Sequence, residues 1–327
     1  MIKYIIQVNN MEKEILKKLG IKIGHYTNRE DLTGATCFIA EKGAEIGIDV
    51  RGSDVGTLNV MAYMPKGADK LVKAVVLTGG STFGLETVIG VMDYLKTPSV
   101  TGGVIFDRDV GNDSRPHIID GYNMAKNASY TNLEQGNVGV GTGATTGKLE
   151  IERHLKGGFG FEICEIDKNE YIGAFVVTNA VGDVVNLETK EFYSKSGGYK
   201  NNFQEIFNYG KRGTNTTLAV IVTNIKMNRD ELMKVAELAH DGMARAIFPV
   251  HTNFDGDIVF AISPNSENSI ESKLNRFDLV NKVGLYASNI LIEAINNSII
   301  NAEGIKDFPS YKDLQNGIKH KVNKLKE

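Results

Sequence analysis

Only two residues of the 327 are cysteine, Cys37 and Cys164, and both stand in apolar, strand-like runs. That scarcity argues against a disulfide framework and for reduced, packed thiols, and with them for a cytoplasmic home. Long apolar runs are also missing, since no stretch approaches the roughly 18 residues that suggest a membrane span. The amino-terminal patch from Met1 to Val8 is interrupted too soon, by Asn9 and Asn10, to be the core of a signal peptide. Charge of one sign is not in excess either. The formal net charge is -3 and no nucleic-acid-binding motif accompanies it, so neither nucleic acid nor membrane is an expected partner. Six histidines, His25, His117, His154, His240, His251 and His320, are scattered without ligand spacing, so no metal site and no cofactor is expected. No internal repeat of roughly 20 to 50 residues is evident.

What is present is an ordinary globular balance, 42% hydrophobic and 24% charged, with 35 glycines gathered in clusters. Such clusters imply tight turns or backbone that approaches a ligand closely. A chain of this length holds two average domains or one large layered one. Residues 1–20 read as an appendage, with a short helix near 12–19 that lacks a deep apolar face. Segments 36–40 and 45–50 read as a hairpin turning at Gly43, and 158–166 and 171–179 as a second hairpin across Asp167, Lys168 and Asn169. Strands are expected at 73–78, 103–107, 217–222 and 257–262. Helices are expected at 82–95, 116–129, 228–248 (opened by an Asn228/Glu231 capping box) and 272–301. The segment 182–213, polar and glycine-rich, reads as an exposed linker, and 316–327 as a polar tail. Two hairpins mixed with strand–helix–strand units predict a layered α/β sandwich with mixed sheets rather than a doubly wound parallel one.

Several stretches invite a chemical reading. The glycine-dense loop 136–148 fails as a P-loop, because Leu149 rather than Ser or Thr follows Lys148. Its backbone amides and hydroxyls, with Gly143 and the charged Lys148, instead suggest a pocket wall. Ser81 lies at a strand-to-helix turn, yet Phe83 stands where a nucleophile elbow needs glycine. His240 reads as a packing histidine within a helix. Asp255 and Asp257, separated by one glycine just before a buried strand, form a turn that could also orient an ammonium group. Thr216 opens an apolar strand behind the predicted linker. If the chain were cut between Asn215 and Thr216, the new α-amine would serve as base for the Thr216 hydroxyl.

The segments containing His25, Asp49-Val50-Arg51-Gly52, Gly79-Gly80-Ser81, Gly141 to Lys148, Asn179 to Asp183, Asn215-Thr216-Thr217, His240 to Arg245 and Phe254 to Asp257 together resemble the P1 family of self-processing aminopeptidases. That family includes L-aminopeptidase/D-esterases, β-peptidyl aminopeptidases and nylon-oligomer hydrolases. The resemblance runs in order from about Ile21 to Tyr311. It implies one αββα sandwich of the N-terminal-nucleophile type over 21–315, cut before Thr216 into 1–215 and 216–327, and acting on amide bonds of small peptides or oligomers. By the same match Asn179 supplies an oxyanion donor, Lys148 sits beside the nucleophile, and Asp255 and Asp257 hold the threonine amine. Phe106 stands near where the nylon hydrolases carry a tyrosine, and Ser81 and Gly143 are further pocket candidates. A homo-oligomer of cleaved pairs is expected. Two other readings stay open: acyl transfer of the ornithine-acetyltransferase kind, and an uncut, non-catalytic small-molecule-binding protein.

Overall fold

The computed structural model describes residues 2–67, 70–195 and 215–317; Thr214, positions 196–213 of the expected linker, His320 and most of the tail lie outside them. In chain order the first half contributes α1 (Ile2–Leu19), β1 (Lys22–Asn28), β2 (Thr33–Val50), β3 (Thr57–Leu58), β4 (Val72–Thr78), α2 (Glu86–Leu95), β5 (Val100–Val104) and α3 (Ile118–Lys126). There follow β6 (Thr145–Thr146), β7 (Leu155–Lys156), β8 (Phe159–Asp167), β9 (Glu170–Asn179), β10 (Asp183–Asn186) and β11 (Glu191–Phe192). The last third adds β12 (Thr216–Thr223), α4 (Arg229–Ala246), β13 (Ile247–Phe248), β14 (Ile258–Pro264), α5 (Arg276–Ile300) and α6 (Tyr311–Gln315).

One hydrogen-bonded path runs β3-β5-β4-β2-β14-β12-β9-β8, with β1 added on β2. It forms two layers because β2 belongs to both. The first part of β2 pairs with β1 and β4, through Phe38 opposite Ile23 and Val75, and its second part pairs with β14 from Ala44 to Val50. Side chains alternate between faces of a strand, and the alternation is visible in the cores. Phe38, Val75 and Leu77 from one layer meet Phe175, Val177, Leu218, Val220 and Phe260 from the other. On the opposite face of the second layer, Val176, Ala219, Ile221 and Val259 pack under α4 and α5. On the outer face of the first, Cys37, Val76 and Val100 lie under Val88 and Val91 of α2 and Met124 and Ala125 of α3. The expected αββα sandwich is therefore present. β12 is buried along its whole length, which is why it reads as a continuous apolar run. Each such side chain contributes roughly 1.5–3 kcal/mol on burial, and a one-residue slip would turn every one of them to the wrong layer. That fixes where Thr216 stands.

Four local expectations are corrected. The segments 36–40 and 45–50 are not a hairpin but one strand. Gly43, at φ +85, bends it through a bulge in which the step from Ile39 to Ala44 is matched by Ala74 to Val72 on β4, and the chain continues forward. The strand placed at 103–107 runs instead over Val100–Val104, where it pairs in parallel with β4. The amino-terminal helix does have an apolar face, since Ile15, Leu16 and Leu19 are buried in the core between the layers. Positions 182–195 are not an exposed linker. β10 pairs with β11 and β13, and Asp183 is fully buried with its carboxylate bonded to Ser194 and Arg153. The polar residues Asp183 and Ser194 thus belong to a buried ionic network, while Glu188 to Glu191 are exposed at the turn between β10 and β11. Among the described residues, no helix is long and apolar enough to cross a membrane.

Candidate active site

β9 ends and β12 and β14 begin at the same edge of the second layer, and three chain segments meet there. Thr216 is the first residue of β12, 6% exposed, and lies directly across from Asn179, the last residue of β9. Residues opposite each other in an antiparallel pair project to the same face, so the two side chains share one wall. Asn215 precedes Thr216 in a parallel bridge to Asp255. The carbonyl oxygen of Asn215 accepts the Gly256 N–H at 3.0 Å and the Thr216 hydroxyl at 2.5 Å. Gly256 is required at its position, because an added Cβ would lie 2.4 Å from the Asp54 carbonyl oxygen and 2.9 Å from the Thr216 hydroxyl.

Asn179 is fully buried, and its orientation follows from its partners. Oδ1 accepts the Thr145 N–H at 3.0 Å and Lys148 Nζ at 2.9 Å, which leaves Nδ2 as the donor, reaching the Phe106 carbonyl at 3.2 Å. Lys148 is half-buried; desolvation of its ammonium pushes its pKa down to about 8, against the opposing pull of Asp109, Asp255 and Asp107. The loop that carries it is braced by Lys156, fully buried, whose Nζ donates to the carbonyls of Gly141 and Ala144 at 2.8 Å and Gly157 at 2.6 Å. Burial pushes that ammonium down to about 7.

The carboxylates are satisfied from the other side. Asp255 accepts from the Val181 N–H at 3.1 Å and from the Thr252 N–H and hydroxyl at 3.1 and 2.6 Å. Burial, and then the charge of Asp257, push its pKa up to about 6. Asp257 accepts the Thr217 N–H at 2.7 Å on one oxygen, and the N–H and ring Nδ1 of His251 at 3.1 and 2.8 Å on the other. The loop from Arg51 to Asp54 clamps the main chain of both, four of its amides donating to the carbonyls of Asp255 and Asp257.

Thr216, Asn179, Lys148, Asp255 and Asp257, widely separated in sequence, are thus brought into one hydrogen-bonded neighbourhood, with Phe106 joined through its carbonyl. Ser81 and Gly143 are packing partners of the 105–107 segment: the Ser81 amide donates to the Ile105 carbonyl at 3.0 Å, and Gly143 backs onto Asp107. Neither adds an atom to the contacts around Thr216 given above. Sequence reasoning missed the Gly256 amide, Lys156 and His251. The first carries no side-chain signal. The other two act through long-range contacts, although a lysine within an apolar-flanked glycine segment was a usable cue. An open cleft lined by Glu45, Lys226, Asn228 and Arg276 lies at the far end of β14 from Asp257 and holds none of these residues.

A family model described as Peptidase family S58 matches residues 15–311. An aminopeptidase of Mycobacterium leprae, described as uncharacterized, is 29% identical over 337 residues, covering 89% of this chain and 91% of its own. A 6-aminohexanoate-oligomer endohydrolase of Paenarthrobacter ureafaciens is 29% identical over 307 residues, covering 84% of this chain and 83% of its own. Among solved structures, the L-aminopeptidase D-Ala-esterase/amidase of Ochrobactrum anthropi, described as a variant of the Ntn-hydrolase fold, superposes with a TM-score of 0.68 at 17% identity over 91% of each chain.

Proposed function

This chain belongs to peptidase family S58 and is an enzyme of amide-bond hydrolysis, and from that premise we propose that it matures by cutting itself before Thr216, which then acts as an N-terminal nucleophile. The observation that carries the reading is the Asn215 carbonyl, held between the Gly256 amide and the Thr216 hydroxyl. A carbonyl so polarised is open to attack by the neighbouring oxygen. In maturation the Thr216 hydroxyl adds to the Asn215 carbonyl carbon. The C–N bond breaks, the nitrogen takes the hydroxyl proton and leaves as the free amine, and water opens the resulting ester to leave an Asn215 carboxylate. In turnover the amine takes the hydroxyl proton, the oxygen attacks a substrate amide, and the departing amine receives that proton. Water then hydrolyses the acyl ester on Thr216.

The surrounding groups have matching roles. Asn179, its Oδ1 occupied by two donors, offers Nδ2 to the tetrahedral oxyanion in place of the Phe106 carbonyl. Lys148 supplies positive charge beside it. Asp255 and Asp257 fix the β12 start and favour the protonated amine, so the rate falls as acid protonates both the amine and Asp255. Amino-terminal residues of small peptides or 6-aminohexanoate-type oligomers are the substrate class. The test is hydrolysis of α- and β-aminoacyl anilides and 6-aminohexanoate oligomers by processed protein, beside acetyl transfer from N-acetylornithine to glutamate. Amine release from the first set with none in Thr216→Ala is expected; acetyl transfer alone would replace hydrolysis with acyl exchange.

A further inference from the structure

Two histidines stand behind Asp257 without a part in the chemistry above. His251 has a left-handed backbone, φ +55, which disfavours any residue carrying a Cβ and marks a conformation imposed by its surroundings. In that conformation both of its donors converge on one oxygen, the main-chain N–H at 3.1 Å and ring Nδ1 at 2.8 Å from Asp257 Oδ2. Nδ1 must carry the proton, since a carboxylate only accepts. The other ring nitrogen, Nε2, is buried with no hydrogen-bond partner among the described residues. Against it packs the fully buried ring of His240, edge-on at 4.7 Å and 76°, its Nε2 3.2 Å from the Asp49 carbonyl and its Nδ1 likewise without a partner. Burial pushes His240 down to about 3, so that ring is a neutral wall. The remaining oxygen of Asp257 holds the Thr217 amide, one residue from the nucleophile.

We propose that His251 is a positioning residue: its Nδ1–H, backed by His240, locks the Asp257 carboxylate and through it the Thr217 amide, setting the angle at which β12 presents Thr216. The inference rests on the reading of Thr216 as nucleophile. A turn residue with no such role would be replaced without loss by glycine, which adopts the same φ and keeps the main-chain N–H. Asparagine also tolerates that φ and restores a side-chain N–H donor.

Anilide hydrolysis should therefore separate the two replacements. In His251→Gly, kcat falls roughly 10- to 100-fold, the scale of a misplaced reacting group, with KM within about twofold; His251→Asn recovers most of the loss. Wild-type protein that hydrolyses while His251→Gly matches it overturns the inference alone, as does an equal loss in His251→Asn. A second measurement does not depend on activity. In ¹⁵N-histidine-labelled protein, the His251 resonance, assigned by its disappearance in His251→Asn, should report a protonated Nδ1 at pH 7. A bare Nδ1 overturns the inference. Wild-type protein that neither cuts itself nor hydrolyses overturns the Thr216 reading, and the nitrogen signal then judges the His251–Asp257 bond by itself.

Discussion

Two loops close on Thr216 from opposite sides, and they are built with opposite charge. The glycine-dense loop from Gly139 to Lys148 exposes carbonyl groups to the interior, and a buried ammonium, Lys156, gathers two of them, Gly141 and Ala144, together with the carbonyl of Gly157. The loop from His251 to Asp257 turns amides inward instead, and its two buried carboxylates gather the amides of His251 and Thr252 from the loop and those of Val181 and Thr217 from the neighbouring segments. Each loop then presents one hydrogen-bond donor toward the site: Lys148 against Asn179 on the first side, the Gly256 amide against the Asn215 carbonyl on the second. A buried charge is tolerated only where hydrogen bonds replace its water. Here each charge is replaced by a set of main-chain bonds that also shapes a loop, so rigidity and preorganisation come from the same contacts.

Breaking the carboxylate side at its tip should have the largest effect. Gly256→Ala pushes a methyl against Asp54 and the Thr216 hydroxyl, and self-cleavage should slow by about 100-fold or more, the scale of one lost oxyanion donor. A time course by mass spectrometry reads this, and normal cutting would remove Gly256 from the mechanism. On the other side, Asn179→Ala removes the Nδ2 donor and the Oδ1 that accepts from Lys148 and the Thr145 amide. It should lower kcat by a barrier of about 2.7–4 kcal/mol; an unchanged rate would exclude Asn179 as an oxyanion donor. Lys156→Met tests the brace itself. Three buried carbonyls each lose a charged donor, and stability should drop by roughly 2–4 kcal/mol, seen as a lower urea midpoint, with a smaller change in KM than in kcat.

The smallest effects concern pH, and here the two loops should differ in sign. Asp255, at about 6, lies above the roughly 3.9 of an exposed aspartate, so the folded chain binds more protons between the two values. Its contribution to stability is present below about pH 4 and is lost as pH rises through 6. Lys156, at about 7, lies below the roughly 10.4 of an exposed lysine, so the unfolded chain binds more protons and stability rises from about pH 7 to 10. Asp107 and Asp183, also raised to about 6 by burial, and Lys148 share these trends, so urea midpoints across pH should show the first weakened in Asp255→Asn and the second weakened in Lys156→Met. Identical curves for the variants and the wild type would dissolve the contrast between the loops.

The sequence made legible those parts whose signal is local. The β8/β9 hairpin, the Asn228/Glu231 cap and the apolar run of β12 each follow from residues within a few positions of one another, and each is present. The bend at Gly43 reads as a reversal because a single glycine between two strand-like runs is compatible with either a turn or a bulge. What separates them is pairing with β4 and β14, far along the chain. The segment 182–195 reads as a linker because Asp183, Ser194 and Arg153 look like surface residues until the fold brings them together. Thr216, Asn179, Lys148 and the two aspartates were legible only as residue types in ordered motifs. Their convergence depends on where β9 stops and β12 and β14 start. The Gly256 amide and the His251 ring belong to backbone conformation, which composition does not encode.

The contrast between the loops has meaning for function only if Thr216 is freed as a terminus. The intact mass of purified wild-type protein, measured beside Thr216→Ala after the same incubation, tests this most directly. Two species divided between Asn215 and Thr216 in the wild type, with one uncut species in the variant, are predicted. A wild type that stays whole through prolonged incubation, or a variant that is cut at the same bond, would contradict it.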